Sequence, residues 1–141
     1  MTGIIDYGLG NLGSIQNMLR VLDEKSIISS EIDNLEKCDR YILPGVGAFD
    51  IKYKVVEEKK PILGICLGMQ LLGRKSEEGG LPGLGLIPFD NIRFRLEDSN
   101  LRVPHMGWDI VEFKQSNPLL KNLQGIQRYY FVHSYHALCD S

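Results

Sequence analysis

Through its first half the chain alternates short, mostly apolar runs with segments of helical period. Few folds accept this pattern, because a strand apolar on both faces needs parallel neighbours and crossovers that cover it. Gly3-Ile4-Ile5-Asp6 is the first run and leads through Tyr7-Gly8-Leu9-Gly10 into Asn11 to Leu22, where Leu12, Ile15, Leu19 and Leu22 recur at helical spacing. Ser26 to Ser30 gives a second strand and Arg40-Tyr41-Ile42-Leu43 a third, which stops at Pro44-Gly45. Pro61-Ile62-Leu63-Gly64-Ile65 is the fourth and runs directly into Cys66; Leu67 to Leu72 then offers strong helix formers before Gly73. The order predicts an α/β fold, a doubly wound, mostly parallel sheet with helices on both faces.

The second half reads differently. Glu78 to Leu86 holds four glycines and a proline and is predicted as loop. Strands are expected at Asn91 to Arg95, Trp108 to Phe113 and Tyr129 to Ser134, without helices between them, as an antiparallel extension. One crossover is short: Ile51 to Lys60 supplies ten residues between the turn at Asp50 and the fourth strand, enough for a helix of about two turns. With 141 residues and no repeat or linker, a single domain over 1–141 is expected.

Composition excludes several functions. Apolar residues at 43% and charged residues at 24% suit a globular protein, and a net charge of -2 leaves no electrostatic footprint for nucleic acid or anionic lipid. Met1 to Asp6 has neither the basic nor the apolar region of a secretory signal, and no run is long enough for a membrane span, so a cytoplasmic protein is expected. Cys38, Cys66 and Cys139 are odd in number and irregularly spaced, which fits neither a disulfide framework nor a zinc site. Of the histidines only His133 and His136 are close in sequence, and residues three apart on a strand face opposite sides. No metal and no cofactor are expected.

Gly64-Ile65-Cys66-Leu67-Gly68 places a nucleophilic side chain between two glycines where a strand turns into a helix. Such an elbow is tight, so its flanking residues must be small, and it lifts the central side chain into the crevice at the carboxyl end of the sheet. The helix N-terminus favours a thiolate there, and the backbone N–H of Leu67 is free to face a developing oxyanion. Free cysteines are more often small buried hydrophobes, so the neighbourhood matters. Pro44-Gly45-Val46-Gly47 follows the preceding strand and offers a second backbone N–H at the same end of the sheet.

A competing pattern stands near the start. Gly8-Leu9-Gly10-Asn11-Leu12-Gly13 satisfies the G-x-G-x-x-G spacing of a dinucleotide-binding turn, with Glu31 and Asp33 near the distance of a ribose-binding acid. Against it, Asp6 and Tyr7 crowd the turn and the second strand is polar. The alternative is that the glycines shape a tight surface loop.

Five stretches in order carry a family resemblance: Asp6-Tyr7-Gly8-Leu9-Gly10-Asn11-Leu12, Pro44-Gly45-Val46-Gly47-Ala48-Phe49, Gly64-Ile65-Cys66-Leu67-Gly68-Met69-Gln70, Val103-Pro104-His105-Met106-Gly107-Trp108 and Tyr130-Phe131-Val132-His133-Ser134-Tyr135. Together they resemble the glutaminase subunits of imidazole glycerol phosphate synthase, within the class I glutamine amidotransferases. The resemblance implies that Cys66 attacks the side-chain amide of glutamine, giving a thioester and ammonia before water releases glutamate. It further implies an oxyanion hole of the Leu67 N–H with an N–H from the Val46-Gly47 turn, and glutamine held by Gly47, Gln70, Ser134 and Tyr135. The implied partner is a barrel-shaped cyclase subunit in a heterodimer of histidine biosynthesis, with Asn11 towards it.

The chain also departs from that family. The histidine base and its orienting glutamate belong to a His-Pro-Glu motif near the family's C-terminus, and no such motif occurs here. The crossover after Asp50 and the stretch Asp23 to Ser26 look trimmed. The expectation is a chain lacking the family's C-terminal portion, either as a fragment or as a relative unable to complete its triad. His105, His133 and His136 are expected to be structural. Two other readings stay open: a similar subunit that feeds ammonia to cell-surface sugar biosynthesis, and a non-catalytic interaction domain.

Overall fold

The computed structural model describes residues 1–8, 10–44, 59–80, 82–97, 101–114 and 117–140. These form two compact units, one of residues 1–91 with 137–141 and one of residues 92–136.

The first unit is built on four parallel strands, β1 (Thr2–Ile5), β2 (Ser26–Ser29), β3 (Arg40–Leu43) and β4 (Ile62–Gly64), in the order β2-β1-β3-β4. All four lie where the apolar runs predicted them. The order reverses direction at β1, and because crossovers are right-handed, the β1-to-β2 connection and the β2-to-β3 connection pass on opposite faces. This is the doubly wound arrangement. β1 is central and buried throughout, and Gly3 is closely packed: a β carbon there would sit 3.1 Å from Cys38 Sγ, from Leu35 and from Tyr41, so those side chains would have to give by a few tenths of an ångström. Ile5, Leu35, Cys38, Tyr41, Leu43, Leu72 and Phe89 form the core.

Helix α1 (Leu12–Val21) starts at Asn11, whose side-chain Oδ1 accepts the Ser14 N–H at 3.1 Å and so satisfies one orphan donor of the first turn. A second, one-turn helix α2 (Ile32–Leu35) buries Leu35 alone. Helix α3 (Leu67–Leu72) follows β4 after the single residues Ile65 and Cys66. The predicted loop from Glu78 to Leu86 carries no helix or strand among its described residues.

A three-stranded sheet, β5-β6-β9, joins β5 (Lys75–Ser76), β6 (Phe89–Arg93) and β9 (Tyr135–Cys139), and β5 pairs with β6 in parallel. In the second unit β7 (His105–Val111) and β8 (Gln127–His133) form an antiparallel ribbon with His105 opposite His133 and Val111 opposite Gln127. The antiparallel extension is there, but each strand starts two or three residues before its expected position. Gly107 explains β7: it looks like a break, yet it lies inside the strand at φ 141°, a conformation glycine accepts at little cost. β9 escapes a pattern reading because Ser134 alone separates it from β8.

Candidate active site

Cys66 is the second of the two residues between β4 and α3, and its backbone has φ 56° and ψ -117°. Non-glycine residues rarely take such angles, and holding one there costs about 1–3 kcal/mol, supplied by the surrounding packing. The two glycines show how tightly the turn is enclosed. A β carbon on Gly64 would meet Gly68 O and Met69 N at 2.7 Å, and one on Gly68 would meet Leu43 O at 1.7 Å. Ile65 N–H donates to that same Leu43 carbonyl at 3.0 Å, which ties the elbow to the end of β3.

The elbow is exposed at Cys66, whereas Cys38 is buried. In the first turn of α3 the N–H groups of Gly68 and Met69 donate to Ile65 O and Cys66 O, each at 3.0 Å. The Leu67 N–H has no backbone acceptor among the described residues. A donor left free beside a nucleophile can stabilise negative charge developing on a bound carbonyl. Register places the end of β3 beside the elbow, Leu43 opposite Gly64, so Pro44 lies at the same end of the sheet. Val46 and Gly47, along with residues 51–58 of the short crossover, lie outside the described residues.

Gln70, one turn into α3, has its carboxamide fixed at both ends. Its Nε2 donates to Glu78 Oε2 at 2.7 Å, and its Oε1 accepts from Ser76 Oγ at 2.8 Å. The Glu78 N–H in turn donates to Ser76 Oγ at 3.1 Å. Glu78 and Ser76 were not among the sequence candidates. Nothing in their spacing points to Gln70: Ser76 ends the two-residue strand β5, and Glu78 opens a loop read only as glycine-rich.

The Gly8 to Gly13 loop is built against phosphate binding. Asp6 Oδ1 accepts the Gly8 N–H at 2.7 Å, so a carboxylate occupies the first loop donor, and the Asn11 side chain caps the helix. Gly8 and Gly10 have φ of 81° and 97°, and a β carbon on Gly10 would lie 3.4 Å from Pro44 O. The glycines thus shape a tight loop beside the β3 end. Asn11 is exposed. The Tyr7 hydroxyl is buried with no hydrogen-bond partner among the described residues, and burial pushes its pKa well above the ordinary phenol value.

In the second unit Ser134 and Tyr135 form the junction of β8 and β9. The histidines expected to be structural turn out to be connected. His105 Nδ1 lies 3.2 Å from His133 Nε2, His105 Nε2 lies 3.4 Å from Asp109 Oδ2, and His133 Nδ1 lies 2.7 Å from Tyr135 O. The Phe94 ring stacks on His136 at 4.7 Å and approaches His133 at 5.2 Å. No described helix is long and apolar enough to cross a membrane.

A parallel α/β sheet that ends in a strained cysteine elbow, with no backbone acceptor for the Leu67 N–H among the described residues, defines a scaffold that presents a nucleophile at the carboxyl end of the sheet. The sequence model described as glutamine amidotransferase class-I matches residues 4–139, and the chain belongs to that family. It is 45% identical to the imidazole glycerol phosphate synthase subunit HisH 2 of Methanococcus maripaludis, covering 99% of this chain and 76% of that relative. Identity is 41% to subunit HisH 2 of Pseudomonas aeruginosa, over 98% and 75% of the two chains. To subunit HisH of Methanocaldococcus jannaschii it is 43%, over 99% and 76%. The Methanococcus maripaludis comparison spans 154 positions, more than the 141 residues of this chain, so that relative carries residues at places the chain skips. A solved structure described as a glutamine amidotransferase shares the fold with a TM-score of 0.68 at 19% identity, over 95% of this chain and 71% of the other.

Proposed function

We propose that the chain is the glutaminase subunit of imidazole glycerol phosphate synthase, a single amidotransferase domain over residues 1–141. It hydrolyses glutamine to glutamate and delivers the ammonia to a barrel-shaped cyclase partner in a cytoplasmic heterodimer of histidine biosynthesis. The observation that carries this reading is Cys66 at φ 56° between two glycines that admit no β carbon, with no backbone acceptor for the Leu67 N–H among the described residues.

In this mechanism the Cys66 sulfur attacks the side-chain carbonyl carbon of glutamine. The tetrahedral oxyanion is held by the Leu67 N–H and an N–H of the Val46-Gly47 turn, and collapse breaks the C–N bond to expel ammonia. Water then attacks the thioester and releases glutamate. Gly47, Gln70, Ser134 and Tyr135 hold the substrate, and Asn11 faces the partner. The Glu78 and Ser76 bonds keep the Gln70 carboxamide in one orientation before glutamine arrives, so less ordering is needed on binding. The general base and its carboxylate belong to a His-Pro-Glu motif that this sequence does not contain.

A diazo-ketone analogue of glutamine tests the assignment by peptide mapping. Label is expected on Cys66 in preference to Cys139, which is also exposed, and to buried Cys38. Equal labelling of the two exposed thiols would remove the special role of Cys66.

A further inference from the structure

The two motifs that contain His105 and His133 meet across β7 and β8, and donor and acceptor bookkeeping fixes how their rings communicate. Tyr135 O can only accept, so His133 Nδ1 must carry the proton of that 2.7 Å bond. His133 Nε2 is then an acceptor in the neutral ring, and His105 Nδ1 donates to it across 3.2 Å. The far nitrogen of His105, Nε2, lies 3.4 Å from Asp109 Oδ2; a carboxylate only accepts, so this contact joins the series in the form of His105 that carries a proton on both ring nitrogens. Ring packing holds the planes: His105 stacks on Phe131 at 4.9 Å, and Phe94 packs on His133 at 5.2 Å.

The end of this chain of contacts is the backbone around Ser134. Phe94 N–H donates to Ser134 O at 3.0 Å, and His133 donates to Tyr135 O, so two consecutive carbonyls of the β8–β9 junction are held. Two fixed carbonyls set the planes of the two peptides that flank Tyr135, and with them the direction in which its side chain leaves the backbone, while Ser134 is held on its C-terminal side. A histidine free to flip or change tautomer would lose the Tyr135 bond.

We propose that Asp109, His105 and His133 are positioning residues that act in series, orienting the Ser134–Tyr135 backbone for glutamine. The inference rests on the reading of Ser134 and Tyr135 as glutamine-holding residues given above. His105 contributes through one atom, a donor at the Nδ1 position, and an asparagine side chain presents its N–H₂ at nearly the same place. The consequence separates this role from simple packing. Phenylalanine at 105 keeps the stack on Phe131 and loses the donor, while asparagine keeps the donor and loses the ring.

The test uses the nitrogen-15-labelled chain in a Cys66→Ala background, with glutamine titrated by NMR. His133 is expected as the Nδ1–H tautomer, His105→Phe is expected to give a tautomer mixture there, and His105→Asn to restore the single form. Loss of one orienting hydrogen bond is expected to raise the glutamine dissociation constant about fivefold in His105→Phe, with His105→Asn within about twofold of the starting protein. Asp109→Ala, at an exposed position, reads the same series should His105→Phe not fold, with the same loosening of the His133 tautomer. An Nε2–H tautomer at His133, or a tautomer indifferent to these changes, overturns the series. Glutamine affinity that follows ring retention, better in Phe than in Asn, overturns the positioning role. A tautomer that responds as expected with unchanged affinity also overturns that role, and leaves the contacts as fold stabilisation. A starting protein that binds no glutamine overturns the reading of the site itself.

Discussion

A β carbon on Gly68 would lie 1.7 Å from the carbonyl oxygen of Leu43. That oxygen belongs to the end of β3 and already accepts the Ile65 N–H, so it cannot retreat without opening the elbow. Overpacking against a flexible side chain costs about 1–3 kcal/mol, and a backbone acceptor gives way less readily. Gly68→Ala is therefore expected to lower stability by at least about 3 kcal/mol, read from urea midpoints at constant slope. A loss under about 0.5 kcal/mol, the scale of an ordinary surface substitution, would contradict this packing.

The glycine loop after β1 should not respond to dinucleotides. Its first N–H is taken by Asp6 and its helix is capped by Asn11. A cofactor at roughly 100 times its dissociation constant would add about 2.7 kcal/mol to folding. NADH and FAD are expected to leave the melting temperature unchanged, and a saturable rise with either would restore the dinucleotide reading.

Tyr7 carries a hydroxyl that is buried with no partner among the described residues. Removing an unsatisfied polar group relieves its desolvation while keeping the ring. Tyr7→Phe is expected to be neutral or to stabilise by up to about 1 kcal/mol. A clear loss in chemical denaturation would mean that the hydroxyl is bonded in solution.

Acid should weaken the Arg74 cluster. Arg74 bonds Asp90 through Nε at 2.9 Å and Asp140 through Nη1 at 2.7 Å. The guanidinium holds the Asp90 carboxyl below its ordinary range, chiefly by that hydrogen bond. The N-terminal ammonium does the same for Asp39. A depressed folded-state pKa gives stability that is present above the unfolded value of about 3.9 and is lost as pH falls through the folded value. The stability gap between the starting protein and Arg74→Met should thus be open at neutral pH and narrow below about pH 4. A gap constant with pH would exclude the ionic origin.

Catalysis by this chain alone should be slow. A positioned acid and base usually contribute about 100-fold to 10,000-fold, and the proposed mechanism takes both from a His-Pro-Glu motif not present in this sequence. Appending a C-terminal segment with that motif from a HisH relative should raise glutamate release by a factor in this range, and a cyclase partner should raise it further. Equal rates with and without the segment would turn attention to His105, His133 and His136 as bases.

Much of this was legible because β1, β3 and β4 are short apolar runs with only one way to be covered, and because glycines flank Cys66 on both sides. The second unit was harder to read. β7 contains Gly107, and β9 follows β8 after one residue, so neither is bounded by the turn signals that mark a strand. The contacts of Gln70 with Glu78 and of His105 with His133 join residues 8 and 28 positions apart. Such meetings are set by loop path and strand register, which no local period encodes.

Residues 137–141 belong with residues 1–91, and Arg74 reaches Asp140 across 66 positions. In chain terms the second unit is therefore an insertion whose two ends are both anchored in the first. The first unit has to wait for a strand made 45 residues after its own β6 begins to leave it, so its assembly during synthesis has a built-in pause. Closing so long a loop costs little more than closing one half its length, about 0.6 kcal/mol, so the delay falls on the rate of folding and hardly at all on the stability of what is formed. During that interval Phe89 and its neighbours on β6 lack their β9 partner, and the nascent chain has an open strand edge that the finished protein does not.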